Sequence, residues 1–233
     1  MPDGQGLKWR RNPITILAET GAPHAAGPIN RIEGKIMAKL FGNLHLVLLL
    51  GIVAALIVIS SFAGWTGADA KSMADDVFRW LHLFFGVLWI GLLYYLNFVQ
   101  VPTMPAIPAE QKGAITGHIA PKVLFYFRWA AALTVLTGLI IAFHNGYGAQ
   151  ALTFGGTAAD GINLIGVGMW LALIMAFNVW FIIWPAQKKI LGIVEASAEE
   201  KAAAGPRALI ASRLNVLLSL PMMYAMVSAN LVA

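Results

Sequence analysis

The residue of this chain best placed to do chemistry is a histidine inside an apolar run. His82 lies in Phe78-Arg79-Trp80-Leu81-His82-Leu83-Phe84-Phe85-Gly86-Val87-Leu88-Trp89-Ile90-Gly91, within a segment long enough to cross a bilayer. An imidazole among acyl chains is costly, so its default reading is functional. Gly86 follows one turn later on the same helix face, where the missing side chain leaves room for a flat group. A histidine with a glycine four residues on suits a helix that ligates a haem iron and lets the porphyrin approach. A buried histidine bonded to a carbonyl of a neighbouring helix gives the same pattern, and both readings stand at this point.

The elements that must hold this residue are membrane helices. The chain is 59% hydrophobic and 12% charged, against about 25% charged in soluble domains. Five apolar runs reach the roughly 20 residues a crossing requires, at about 40–62, 77–98, 122–144, 162–184 and 208–231. The expected fold class is therefore all-α, an integral membrane bundle of five transmembrane helices, with residues 40–233 as one membrane domain. Residues 1–39 form a polar amino-terminal arm. Within it, Ile29, Ile32, Ile36 and Leu40 share a face, with Arg31, Lys35 and Lys39 elsewhere, as in a basic amphipathic helix lying on the membrane surface. The arm lacks the short basic start and apolar core of a cleavable signal peptide.

The formal charge of +5 belongs to topology and not to a nucleic-acid partner. Basic residues alternate between connections: Lys8, Arg10, Arg11, Arg31, Lys35 and Lys39 in the arm, Lys112 and Lys122 after the second run, and Lys188, Lys189, Lys201 and Arg207 after the fourth. The other side has Lys71, set against Asp69, Asp75 and Asp76, and only Asp160 in 145–161. One orientation satisfies every connection, with the amino terminus cytoplasmic and the carboxyl terminus outside a bacterial inner membrane.

On this topology His82 sits about 7–8 Å below the outer edge of its span, at 1.5 Å per residue. His144, at the outer end of the third span, is placed to share its layer and to bracket one haem as the second axial ligand, with Met169 or Met175 as substitutes. Arg79, one turn before His82, stands where a propionate would emerge. His144 also reads as an ordinary helix-end residue beside Asn145-Gly146. A second polar layer nearer the cytoplasm comprises Arg128, Asn178, Arg213 and Asn215, able to hold an anion or the carboxylates of a cofactor. Snorkelling of both arginines to the headgroups is the competing reading.

Further punctuation is helical. Pro102, Pro105 and Pro108 predict an irregular connection after the second span. Ser197 with Glu200 is a capping-box pattern opening a short helix that should stop near Ala204, at Gly205-Pro206. Pro221 should kink the last span or free a carbonyl there. Cysteine is absent, which removes disulfides, thiolate metal sites and a covalently attached c-type haem. No pair of carboxylates for acid–base work and no Gly-rich phosphate loop occurs.

Three segments together resemble the membrane region of bacterial cytochrome-c-linked urate oxidases. Trp80-Leu81-His82, Gly86 and Trp89-Ile90-Gly91 resemble its WLHxxxGxxWIG signature. The stretch from Asn178 to Lys189 is similar to NVxFxIxPNQKK. Ser212-Arg213-Leu214-Asn215, Leu220-Pro221 and Val227-Ser228-Ala229-Asn230 are similar to the closing SxHNxxLxLPxxxxMxSNH. The resemblance implies a small helical membrane protein with a haem b or copper role. Leu214 and Leu231 stand where family histidines are expected, and no cytochrome c domain follows, so the expectation is a stand-alone relative that kept the scaffold and His82.

The expected function is that of an accessory subunit of a larger redox complex in the membrane, holding one b-type haem through His82 and contacting other membrane subunits. The alternative is an oxidoreductase that resembles urate oxidase and passes electrons to a separate cytochrome c. A transporter with Arg128 and Arg213 along an anion path is a third reading, disfavoured by the lack of an internal repeat.

Overall fold

A computed structural model describes residues 37–157 and 161–232. All regular elements among them are helical, and five helices are long and apolar enough to cross a membrane. Most of the expected amphipathic arm helix lies outside the described residues; 37–41 are helical. Helix α1 (Leu44–Thr66) lies, up to Ser61, in the first of two compact units, which meet in sequence between Ser61 and Phe62; the other four spans are in the second. The Asn43 side chain caps α1 by accepting from the His45 and Leu46 amides at 3.1 and 3.3 Å. The Leu44–Phe62 stretch has a mean hydropathy of 2.6 and carries leucine, isoleucine and valine around its whole circumference, as lipid contact requires.

In the second unit, α2 (Ala70–Tyr94) starts at Asp69, whose carboxylate accepts from the Ser72 amide at 2.9 Å. It packs antiparallel on α3 (Ala120–His144), with His82 and Gly86 both meeting Thr134. A short helix, α4 (Gly148–Thr153), leads to α5 (Ile162–Phe177), and α6 (Ala198–Val232) closes the unit. The buried positions of α6 are Ala204, Ala208, Ala211, Asn215, Ser219, Met222, Ala225 and Ala229, spaced by three or four. That spacing is one face of a helix, and its small residues let α5 approach closely, as association without a hydrophobic driving force demands. Leu214, Leu217, Leu220, Tyr224 and Val227 cover the opposite, exposed face.

Three spans outrun the expected boundaries, and proline chemistry explains how. The apolar helices cover Ala70–Ala106, Ala109–His144 and Ile162–Ile190, and Pro102, Pro121 and Pro185 within them are each preceded by a π-helical turn. These turns are Tyr95–Gln100 before Pro102, Ile115–Ile119 before Pro121, and Asn178–Ile183 before Pro185. In each case the residue just before the proline donates its amide five residues back: Val101 to Leu96, Ala120 to Ile115 and Trp184 to Val179. The wider turn moves carbonyls away from the pyrrolidine ring and leaves room for the missing N–H. The connection at 101–108 is irregular as expected, but it is built from short helical turns (Val101–Thr103 and Met104–Ala106). His118 lies exposed in the second π turn.

The expected stop at Gly205-Pro206 does not occur. The capping box forms, with the Glu200 amide on Ser197 Oγ at 3.2 Å and the Ser197 amide on Glu200 Oε2 at 3.0 Å. The helix then continues unbroken through Pro206 and Pro221 to Val232. Ala204 and Ala208 bury themselves with Ala186, and this packing on both sides of Pro206 outweighs the lost hydrogen bond.

A Cβ added at Gly166 would lie 2.2 Å from the Ala151 carbonyl oxygen, so α4 and α5 meet backbone to side. Gly166→Ala is expected to lower stability by about 1–3 kcal/mol. Gly113→Ala, with open space around it, should be neutral or stabilising by about 0.5–1 kcal/mol. Thermal unfolding of both variants in detergent checks this difference.

Candidate cofactor site

His82 stands three turns into α2 and reaches across to α3. Its Nδ1 lies 2.9 Å from the Thr134 carbonyl oxygen and 3.3 Å from Thr137 Oγ1. A carbonyl oxygen only accepts, so Nδ1 carries the proton and Nε2 keeps its lone pair in the neutral ring. Thr137 Oγ1 already donates to the Leu133 carbonyl at 2.7 Å, which leaves an oxygen lone pair turned to Nδ1. Among the described residues, nothing hydrogen-bonds Nε2. The bond to a neighbouring carbonyl weighed from sequence is thus present, and it occupies one of the two nitrogens. Fixing one ring nitrogen on a carbonyl while the other stays open is how ligating histidines are oriented.

Gly138 makes this placement possible. A Cβ there would come within 2.8 Å of His82 Cε1. At Gly86, the glycine singled out from sequence, the nearest atom to an added Cβ is Thr134 Cγ2 at 3.8 Å, an ordinary contact. Gly86 instead lines a cavity of about 450 Å³ that His82 also lines, enclosed by α2, α3, α5 and α6. This is within the range of about 300–1,000 Å³ typical of small-molecule sites. The far walls are largely thioether and aliphatic, with Met169 from α5 and Met222, Met223 and Met226 from α6. At its rim Leu83, Val87 and Val227 are 66, 65 and 64% exposed, so the opening faces the surroundings of the helices, where lipid would lie. Trp89 is fully buried in the wall, and its indole N–H has no partner. Among the described residues, Nε2 of His82 is unpaired in this wall, while the Trp89 nitrogen is closed off within it.

His144 does not join this site. It is exposed at the end of α3, seven residues or about 10 Å along the axis beyond Thr137, with Nε2 3.3 Å from the Lys71 carbonyl oxygen. The expected His82–His144 bracket therefore does not form, because α3 presents Thr134 and Gly138 at the level of His82. Of the suggested thioethers, Met169 lines the cavity, whereas Met175 is fully buried in the core and does not. Arg79 is paired with Asp75, which also accepts from Asn145 Nδ2, making an outer cluster that ties α2 to the end of α3.

The second polar layer assembles in part. Asn178 Nδ2 donates to Asn215 Oδ1 at 2.8 Å, and Asn215 Nδ2 donates to the Met175 carbonyl at 3.0 Å, with both residues buried. Asn97 adds a bond to Ser212 Oγ at 2.8 Å, and Tyr94 one to Ser219 at 2.9 Å. The expected arginines are not part of it. Arg213 is two residues from Asn215, about 200° around α6, and is exposed. The Arg128 guanidinium lies 3.3 Å from the centre of the Trp184 ring. Among the described residues no group of three or more potential metal-ligating His, Asp or Glu residues occurs.

Thr134, Thr137 and Gly138 were not singled out from sequence. The signal was present: Ala130, Thr134, Thr137 and Gly138 put small and hydroxyl side chains on one face of α3, where a long polar side chain of a facing helix can dock.

Residues 150–232 match the sequence model of the family described as Urate oxidase N-terminal. The match supports a urate-oxidase-N-terminal-like domain that takes in α5 and α6 with the methionine wall of the cavity. No curated protein and no solved structure shows a match to the chain.

Gly138→Ala should push the imidazole off the Thr134 carbonyl and cost about 1–3 kcal/mol, while Gly86→Ala should cost less than about 1 kcal/mol and reduce the cavity. Chemical or thermal denaturation of the two variants side by side separates these roles; equal losses would contradict the assigned packing.

Proposed function

We propose that this chain is an accessory subunit of a larger redox complex in the bacterial inner membrane and holds one b-type haem through His82 Nε2. The observation that carries this reading is the imidazole oriented by Thr134 with its second nitrogen unoccupied beside a largely apolar cavity. The donor set suits the group: one imidazole, apolar walls for a macrocycle and thioethers opposite, a combination haem iron accepts. Bound there, haem would supply one-electron transfer. His82 would hold the iron, the Thr134 carbonyl would keep its ring in register, and the methionine and aliphatic walls would keep water away. Arg79, one turn from His82 and already paired with Asp75, marks the side toward which carboxylates would point.

The finer resemblance, to urate oxidases linked to cytochrome c, favours the scaffold more than the reaction. Urate carries donors and acceptors on every edge. In this cavity it would meet one open imidazole nitrogen and walls that are otherwise largely apolar, leaving most of its polar groups unpaired at a cost of a few kcal/mol each. Oxidation of a polar purine here, with electrons passed to a separate cytochrome c, finds less support than the accessory role. The alternation of basic connections supports a cytoplasmic amino terminus.

Protein purified from haem-replete cells should give a reduced-minus-oxidised spectrum with a b-type α-band. His82→Ala should abolish that band, and His144→Ala should leave it. A wild-type preparation without the band, or a band that survives His82→Ala, would overturn the haem reading. Migration as a larger assembly on native gels in mild detergent tests the accessory role; a monomer alone would contradict it.

A further inference from the structure

Arg128 is the charged residue that the haem reading leaves unexplained. It stands nine residues into α3, half-buried, with its guanidinium 3.3 Å from the centre of the Trp184 ring and 5.7 Å from that of Trp180. The Trp180 indole donates to the Arg128 carbonyl at 3.2 Å, which fixes this part of α3 against the fourth span. Nε and Nη1 are closed off from solvent and have no hydrogen-bond partner. Nη2 is not closed off, so the head of the side chain is open along that edge alone. Stacking on an indole contributes about 0.5–2 kcal/mol but accepts no N–H. A guanidinium cannot shed its proton, so it needs an acceptor from somewhere.

Among the described residues, none supplies one. The ion pairs among the described residues are Arg79–Asp75 and Lys189–Glu200, and Arg128 is in neither. Between Asp76 and Glu195 the sequence holds only Glu110 and Asp160 as acids, neither in the core of a span. What surrounds Arg128 is a second cation and an aromatic belt. Lys188 Nζ lies 5.9 Å from the centre of the same Trp184 ring. Phe125, Tyr126 and Trp129, which flank Arg128 on α3, are about half exposed.

The level of the site is that of headgroups. Trp184, Lys188 and Lys189 close the apolar helix Ile162–Ile190, and tryptophan with lysine marks a membrane–water boundary. A phosphodiester is the acceptor abundant at that depth, and one of its anionic oxygens can accept from the open Nη2 edge. Lys188 beside the site would repel a choline and favour a headgroup of net negative charge. We propose that Arg128, stacked on Trp184 beside Lys188, binds the phosphate of one anionic phospholipid. The site is separate from His82 and stands or falls independently of haem.

The test uses full-length protein, stripped of lipid by detergent washing and returned to nanodiscs or micelles containing phosphatidylglycerol or phosphatidylcholine. Native mass spectrometry counts the lipids retained. Wild type should keep one phosphatidylglycerol with at least about tenfold preference over phosphatidylcholine. Arg128→Gln should lose that preference, Arg128→Lys should keep part of it, and Arg213→Gln should behave as wild type. Unchanged retention in Arg128→Gln, or equal retention of the two lipids by wild type, would overturn the proposal. Displacement of the lipid by millimolar inorganic phosphate would also overturn it, by marking a site for free anions. Should Arg128→Gln fail to fold, Lys188→Gln at the rim gives the same reading, with a reduced preference expected and an unchanged one contradicting the assignment.

Discussion

The hydrogen bond from His82 Nδ1 to the Thr134 carbonyl is the contact on which the organisation of the candidate site rests. In hydrocarbon a polar side chain must find its partner inside the protein. His82 finds one on α3, and only because Gly138 leaves the ring room to lie against the helix. That contact helps to hold α2 on α3, fixes the ring orientation and settles which nitrogen is protonated. It also decides the chemistry left over, since the remaining nitrogen is a lone pair beside an apolar cavity.

The surrounding helices reach that arrangement by two economies of backbone chemistry. Small residues on α6 and the α3 face replace the bulky core of a soluble bundle, so polar pairs such as Asn178–Asn215 can form at close range. Prolines are absorbed by π turns, which keep three spans continuous where α-helical hydrogen bonding would fail. Both Asn97 and Asn178 fall inside such turns, and each makes a buried bond to α6. Two of the three widened turns thus coincide with places where polar side chains cross between helices.

Fold class and the number of spans were legible because apolar run length is a direct physical requirement of the bilayer. Helix ends were less legible: Pro102 and Pro206 look like stops in sequence, and whether a π turn or flanking alanine packing rescues them depends on neighbours the local sequence does not name. His82 was legible as a residue out of place, and so was the carbonyl bond as one of its two explanations. Its partners were not, since Thr134 and Gly138 are ordinary residues until a facing helix brings an imidazole to them. The pairing with His144 failed for a related reason, as shared helix ends do not imply shared depth when α3 runs beyond the layer of His82. Arg213 and Asn215 looked alike in depth, yet two residues on a helix is half a turn, and they face opposite ways.

The central claim is that His82 is held through Nδ1 and keeps Nε2 available toward the cavity. Nitrogen-15 NMR of the cofactor-free protein in bilayers, with labelled histidine and a His82→Ala control to assign the signal, reads the protonation of each ring nitrogen directly. At neutral pH the account requires a proton on Nδ1 and a bare Nε2 that shifts when haem is supplied. A proton on Nε2, or a ring signal indifferent to haem, would contradict it.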